Sequence, residues 1–130
     1  MKKINILFCI FVIFLADCSR KTVTELTVFS PDKKVNLTFK LDDTKPCYLI
    51  NTSDKPVILT SVLGLKFKYR EPLDSSFVIK DYEKIAVNEN WEQPWGEKRV
   101  ISNNYSQLTV FLEEAGNLSR KLNIVFRVYR

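Results

Sequence analysis

The sequence predicts an all-β protein, an antiparallel β-sandwich that follows an N-terminal signal segment. Three observations support this prediction: short segments alternate apolar and polar residues, turn-forming residues separate them, and no stretch of useful length has the helical period. The chain has 130 residues, of which 45% are hydrophobic and 12% aromatic. One domain is usual at that length, and this composition favours a buried core over a disordered chain.

The first residues have the pattern of an export signal. Lys2 and Lys3 precede an almost unbroken apolar run, Ile4–Ala16, as in the n-region and h-region of a secretory signal. The run is shorter than the roughly 20 residues that a helix needs to cross a bilayer. We therefore expect residues 1–17 to be a signal peptide rather than a permanent transmembrane helix.

The end of that run, Leu15–Cys18, resembles a bacterial lipobox, in which the cysteine becomes the lipid-modified first residue of the mature chain. Asp17 departs from the small residue that is usual there. We expect Cys18 to be the lipid anchor, residues 18–24 to be a tether, and the protein to be a membrane-anchored lipoprotein on the periplasmic side. The alternative is signal cleavage before Cys18 and a disulfide bond to Cys47, which an oxidising compartment permits.

The following segments give the strands in order. Apolar residues from Val35 to Leu41 alternate with polar ones, and Glu25–Ser30 reaches this strand through the turn residues Pro31 and Asp32, so the two segments predict a hairpin. Further strands are predicted in the middle of the chain at Tyr48–Asn51, Pro56–Leu59, Leu63–Phe67 and Phe77–Tyr82. Alternation at Gln107–Leu112 and Leu122–Val128, around a turn at Gly116, predicts a C-terminal hairpin and a total of roughly seven or eight strands.

The segment Val87–Glu97 has neither period and contains both tryptophans, so we expect a functional loop. Trp91 and Trp95 are candidates for contact with a carbohydrate or a neighbouring domain, although burial as anchors of the loop is the commoner fate of tryptophan. Glu97 is a third contact candidate. Glu92 and Glu97 could suggest a glycosidase pair, but a loop offers no frame that fixes their separation, so we predict no catalytic residue and no metal ligand.

The composition excludes several function classes. The chain has no histidine, which removes histidine-based nucleophile activation and histidine-containing zinc sites. The net charge is only +5, and lysines that alternate along a strand are usually its solvated face. We therefore expect no nucleic-acid partner.

Several segments form a set with a distinctive order and spacing: Phe29–Asp32, Asp54–Val57 before Leu63–Leu65, Trp91–Glu97, Asn104–Leu108 and Arg120–Tyr129. Together they resemble the N-terminal domain of glycoside hydrolase family 97. The resemblance implies that residues 25–130 form part of a sandwich related to galactose mutarotase. Lys33 stands where the family usually has glycine, which suggests a different turn type, and Asn104 stands where histidine is common.

The resemblance also implies a function. Members of the family are exported enzymes that act on α-glucosides or α-galactosides and depend on calcium, and their catalytic residues lie in a barrel that this chain lacks. We therefore expect a non-catalytic, carbohydrate-binding-type fragment with no cofactor of its own, whose partner is an α-linked glycan or the catalytic barrel. The alternative is a self-standing lipoprotein that binds a glycan or a protein. A last strand left without its neighbour predicts self-association through an exposed edge.

Overall fold

A computed structural model describes residues 23–53 and 55–130. The predicted signal peptide, the anchor Cys18 and most of the tether lie outside the described residues. The described chain forms seven strands: β1 (Glu25–Phe29), β2 (Val35–Asp42), β3 (Lys45–Thr52), β4 (Lys55–Val62), β5 (Phe77–Glu92), β6 (Val100–Glu114) and β7 (Lys121–Tyr129). Residues 23–53 and 55–130 contain no helix that is long and apolar enough to cross a membrane.

The strands form two antiparallel sheets, as the sequence predicts. One sheet has the order β1-β2-β3-β4 and the other β5-β6-β7. They face each other so that β1 lies against β6 and β2 lies against β7. Every pair of strands that are neighbours in a sheet is also consecutive along the chain, so each sheet is a simple meander.

The hydrophobic core lies between the facing strands. Its central residues come from the alternating positions of β2 and β6: Phe39, Leu108 and Val110 are fully buried. Further core residues come from the same two strands, from β1, β5 and β7, and from the segment before β5: Leu26, Val28, Leu37, Leu73, Phe77, Leu112 and Val128. The predicted alternation therefore identifies the buried face of the sandwich correctly.

The turn between β1 and β2 is fixed by side-chain hydrogen bonds. The Ser30 hydroxyl donates to the Asp32 carboxylate at 2.7 Å and accepts from the Val35 amide at 3.0 Å. The Lys33 amide donates to the Ser30 carbonyl at 2.8 Å, and Lys33 itself has a φ of 59°. The bond from Ser30 is the main reason that the pKa of Asp32 lies below its ordinary value.

Side-chain hydrogen bonds also hold the turn between β6 and β7. Arg120 makes a bidentate contact with the Glu114 carboxylate at 2.7 and 2.6 Å. The same guanidinium donates to the carbonyls of Glu71 and Pro72 at 2.9 and 2.7 Å, which ties this turn to the segment before β5. Hydrogen bonding to Arg120 lowers the pKa of Glu114, and the same contact raises the pKa of Arg120.

Two secondary-structure predictions from the sequence are wrong. Leu63–Phe67 is not a strand, and only Leu65 forms an isolated bridge, to Leu73. Residues Val87–Glu92 are not a loop, because β5 continues through them to Glu92 and pairs with β6 along its whole length.

Candidate functional site

The strands β5 and β6 extend beyond the core as a long arm. Lys84 of β5 pairs with Leu108 of β6, which is the last fully buried residue towards this end of the two strands. Pairing of β5 with β6 continues from there to Glu92 and Val100. The strand β7 accompanies β6 only as far as the pair of Tyr105 with Tyr129. Beyond that rung the arm is a two-stranded ribbon with most of its surface exposed to solvent.

A short turn, residues 93–99, closes the end of the arm. The Gln93 amide donates to the Arg99 carbonyl, and the Gln93 side-chain amide donates to the Lys98 carbonyl, both at 3.0 Å. Gly96 has a φ of 110°, a backbone conformation that side chains other than glycine rarely adopt. These bonds give the tip a defined turn rather than an open loop.

The two tryptophans lie at this end of the arm, residues 91–99, which we call the tip, and both are exposed. Trp91 is 52% exposed and Trp95 is 81% exposed. Burial as anchors, the commoner fate, is therefore wrong for both. Trp91 pairs with Ile101 on the face that points away from the first sheet, and the predicted contact residue Glu97 is also exposed.

One acidic residue of the tip is in an ion pair. Glu92 contacts Arg99 with an oxygen to nitrogen distance of 3.3 Å. Both partners are exposed, so this pair contributes little to stability. No group of three or more His, Cys, Asp and Glu residues within residues 23–53 and 55–130 is placed to hold a metal ion.

The outer face of the arm carries further aromatic residues. The rings of Tyr105 and Tyr129 lie 5.1 Å apart between centroids, and the Arg127 guanidinium lies 5.3 Å from the Tyr105 ring centre. Tyr105 is on the same face of β6 as Ile101, the partner of Trp91, because the residues are four positions apart. Aromatic side chains therefore lie on this face at the base of the arm, as Tyr105 and Tyr129, and again near its tip, as Trp91.

Sequence reasoning missed a cleft on the opposite side of the arm. Its volume is about 660 Å³, and it lies between the β1–β2 turn and the inner face of the arm. The lining comes from three segments that are far apart in sequence, around Pro31, Lys84 and Asn104. No local pattern predicts such a site, because it exists only once the arm is known to continue past the core.

The described chain has clear relatives. The sequence model of the family described as Glycosyl-hydrolase 97 N-terminal matches residues 28–130. Structures of a glycoside hydrolase family 97 enzyme from Pseudoalteromonas sp. strain K8, in complex with panose and with acarbose, are similar, with 29% identity, a TM-score of 0.75 and coverage of 80% of this chain. A beta-arabinopyranosidase has the same fold at 23% identity, with a TM-score of 0.69 over 80% of this chain.

In these matches the chain spans only a small part of the solved proteins. It covers 16% of the length of each of these structures. The matched part is the N-terminal domain, and it is not the part that carries out catalysis in these hydrolases.

Proposed function

Because the chain belongs to the glycosyl-hydrolase 97 N-terminal family, we propose that it acts as the non-catalytic, carbohydrate-binding N-terminal β-sandwich of an exported glycoside hydrolase. The tip of the arm is its binding element, with Trp95 as the surface on which an α-linked glycan stacks. Trp91 and Glu97 contact the same glycan or the catalytic barrel beside it. The observation that carries this proposal is the 81% exposure of Trp95 on a turn that is held in place by hydrogen bonds.

The physical reason is the chemistry of a sugar ring. An exposed indole offers a flat apolar face to the C–H groups of a ring, while polar groups nearby bond to its hydroxyls. A relative of this chain has been solved with panose bound. Panose is therefore the first probe to test.

The chain provides its own reporter for this test. Its two tryptophans both lie at the tip, so intrinsic fluorescence observes that part of the molecule alone. We expect panose to shift the emission of the purified full chain. We also expect Trp95→Ala to weaken the calorimetric affinity about tenfold, which corresponds to roughly 1.4 kcal/mol.

A matched control is available outside the arm. Tyr69 is 84% exposed, so Tyr69→Ala removes an equally accessible aromatic ring without touching the tip. It should leave the affinity for panose unchanged. Equal binding by Trp95→Ala and the unaltered protein would contradict the role of the tip.

The same proposal predicts no hydrolysis by this chain alone. Aryl α-glucosides and α-galactosides should remain intact with or without calcium. We assign the calcium requirement of the family to the full-length enzyme. Turnover that disappears in Glu92→Gln or Glu97→Gln would show that the tip carries chemistry of its own.

Export and anchoring form a separate part of the proposal. The support is the sequence from Lys2 to Cys18, which lies outside the described residues. The protein should incorporate labelled fatty acid and sediment with membranes on the periplasmic side, whereas Cys18→Ala should do neither. Labelling that persists in Cys18→Ala would refute Cys18 as the acylated residue.

Association through β7 is proposed as well. Within the described residues β7 has β6 on one side and no strand on the other. Its partly buried residues Leu122, Ile124 and Phe126 lie next to that free edge. Unpaired amide and carbonyl groups beside apolar side chains favour pairing with another strand.

A further inference from the structure

The cleft between the β1–β2 turn and the arm has the form of a ligand site. Its volume of about 660 Å³ lies within the range of roughly 300 to 1,000 Å³ that small-molecule sites occupy. One wall is the end of β1 with its turn, and the other is the inner face of β5 and β6. Both walls are made of hydrogen-bonded backbone, so the opening is largely preformed.

The lining combines one aromatic surface with neutral polar groups. Phe29 lies in the wall formed by β1 and is 50% exposed. Asn88 and Asn104 face each other across the arm. The Gln107 backbone also borders the cleft, while its side-chain amide is bonded to Thr109 and Arg127. Side-chain amides can donate to and accept from hydroxyl groups, while the phenyl ring can cover an apolar face.

The charged side chains that line the cleft are all positive. Lys33 and Lys84 both line it, and no aspartate or glutamate is among its lining residues. Neither lysine takes part in any of the ion pairs found between described residues. Asp32, the acidic residue of the turn, is held instead by Ser30 and Lys34.

The backbone of Lys33 fixes the position from which its side chain starts. Its φ of 59° is in the left-handed region, as it is for the turn residues Asp43, Thr44 and Ser53. The bond from its amide to the Ser30 carbonyl holds this turn geometry. The turn thereby places one of the two cations of the cleft in the wall of the opening.

We propose that this cleft binds an anionic oligosaccharide, with Lys33 and Lys84 on its acidic group. Phe29 covers a face of a sugar ring, and Asn88 and Asn104 bond to hydroxyls. The ammonium group of a lysine attracts an acidic group as a point charge. Lys33 and Lys84 together therefore favour a ligand that carries negative charge. The amides and the phenyl ring favour a sugar. An acidic peptide could pair with β1 or β5, which are edge strands of the two described sheets and both line the cleft, so it is the competing ligand in the test.

The direct test is calorimetric titration of the purified full chain with trigalacturonate. Cellotriose, a β-linked trisaccharide, serves as the neutral sugar and triglutamate as the acidic peptide, all at one ionic strength. Of these three ligands we expect only trigalacturonate to bind, and we expect its affinity to fall as salt is raised. Equal binding of cellotriose or triglutamate, or no binding of trigalacturonate, would overturn the proposal.

Three variants distinguish the loss of a lysine contact to the ligand from a general loss of folding or of net charge. Lys33→Gly removes the charge and also relieves the left-handed strain, so the variant should fold at least as well as the unaltered protein. Lys33→Gly and Lys84→Gln should each weaken binding about five- to tenfold, whereas Lys121→Gln on β7, with the same loss of net charge, should not. Undiminished affinity in Lys33→Gly and Lys84→Gln would refute the assignment.

The site is independent of the proposed role of the tip. Trp95→Ala should leave the affinity for trigalacturonate unchanged, and Lys33→Gly should leave the affinity for panose unchanged. A loss of panose binding in Trp95→Ala with no trigalacturonate binding at all would refute the cleft alone. The reverse pattern would refute the tip alone.

Discussion

Leu108→Ala tests the packing on which the whole arm depends. Leu108 is 0% exposed at the centre of β6, between Lys84 of β5 and Phe126 of β7. The substitution removes three carbon atoms from the core, worth about 2.4 kcal/mol at roughly 0.8 kcal/mol each. Both neighbouring strands hold the backbone, so the site collapses little, and the residual cavity raises the loss to about 3–4.5 kcal/mol.

The assay is urea unfolding followed by far-UV circular dichroism. Tryptophan fluorescence is unsuitable because both tryptophans lie on the exposed tip rather than in the core. Leu118→Ala makes the same chemical change in the β6–β7 turn, at a side chain that is 61% exposed, and should cost less than about 0.5 kcal/mol. A similar loss of unfolding free energy in Leu118→Ala and Leu108→Ala would refute the packing of the two sheets described above.

Three further predictions concern the rest of the molecule. Hydrogen bonding to Arg120 lowers the pKa of Glu114 from its ordinary value. The contact therefore stabilises the fold fully above that ordinary value, and this stabilisation is lost as the pH falls through the lower pKa of the folded state. Arg120→Gln should make the unfolding free energy fall less steeply with decreasing pH, and an unchanged slope would contradict this. Gly64→Ala would place a Cβ 2.5 Å from that of Asp74 and should lower the unfolding free energy by about 1–3 kcal/mol, so an unchanged urea midpoint would contradict the close approach. Light scattering after size exclusion should show self-association that Val125→Lys on β7 reduces, whereas a monomeric unaltered chain would refute pairing through that edge.

The strands of the core could be predicted from the sequence because one face of each is buried. The alternation from Val35 to Leu41 marks β2 for that reason, and the register of β1 with β2 confirms the hairpin. The same rule fails for Leu63–Phe67, where Leu65 is 48% and Phe67 is 44% exposed and no strand pairs along the segment. Alternation predicts burial of one face, and it does not by itself establish hydrogen bonding to a neighbour.

The arm could not be predicted for the converse reason. From Asn88 to Glu92 the chain pairs regularly with β6, yet nearly all of it is exposed on both faces, so no periodic apolar pattern is needed. The exposure of Trp91 and Trp95 follows from the length of this ribbon, which the local sequence does not reveal. The cleft depends on the same length, because its polar wall is the inner face of the arm.

The energetics of the arm support a functional reading of it. Fixing the backbone of one residue costs about 1–2 kcal/mol, and in the core the burial of Leu108 and Val110 offsets that cost. A two-stranded ribbon in water is only marginally stable, since its ladder of hydrogen bonds replaces bonds to solvent. The extension beyond Tyr105 therefore adds little to the stability of the sandwich, while it positions the exposed tryptophans at its tip and the amides of Asn88 and Asn104 opposite Lys33. A segment that the core does not require, and that brings these groups to two surfaces, is the part of the chain where binding is best sought.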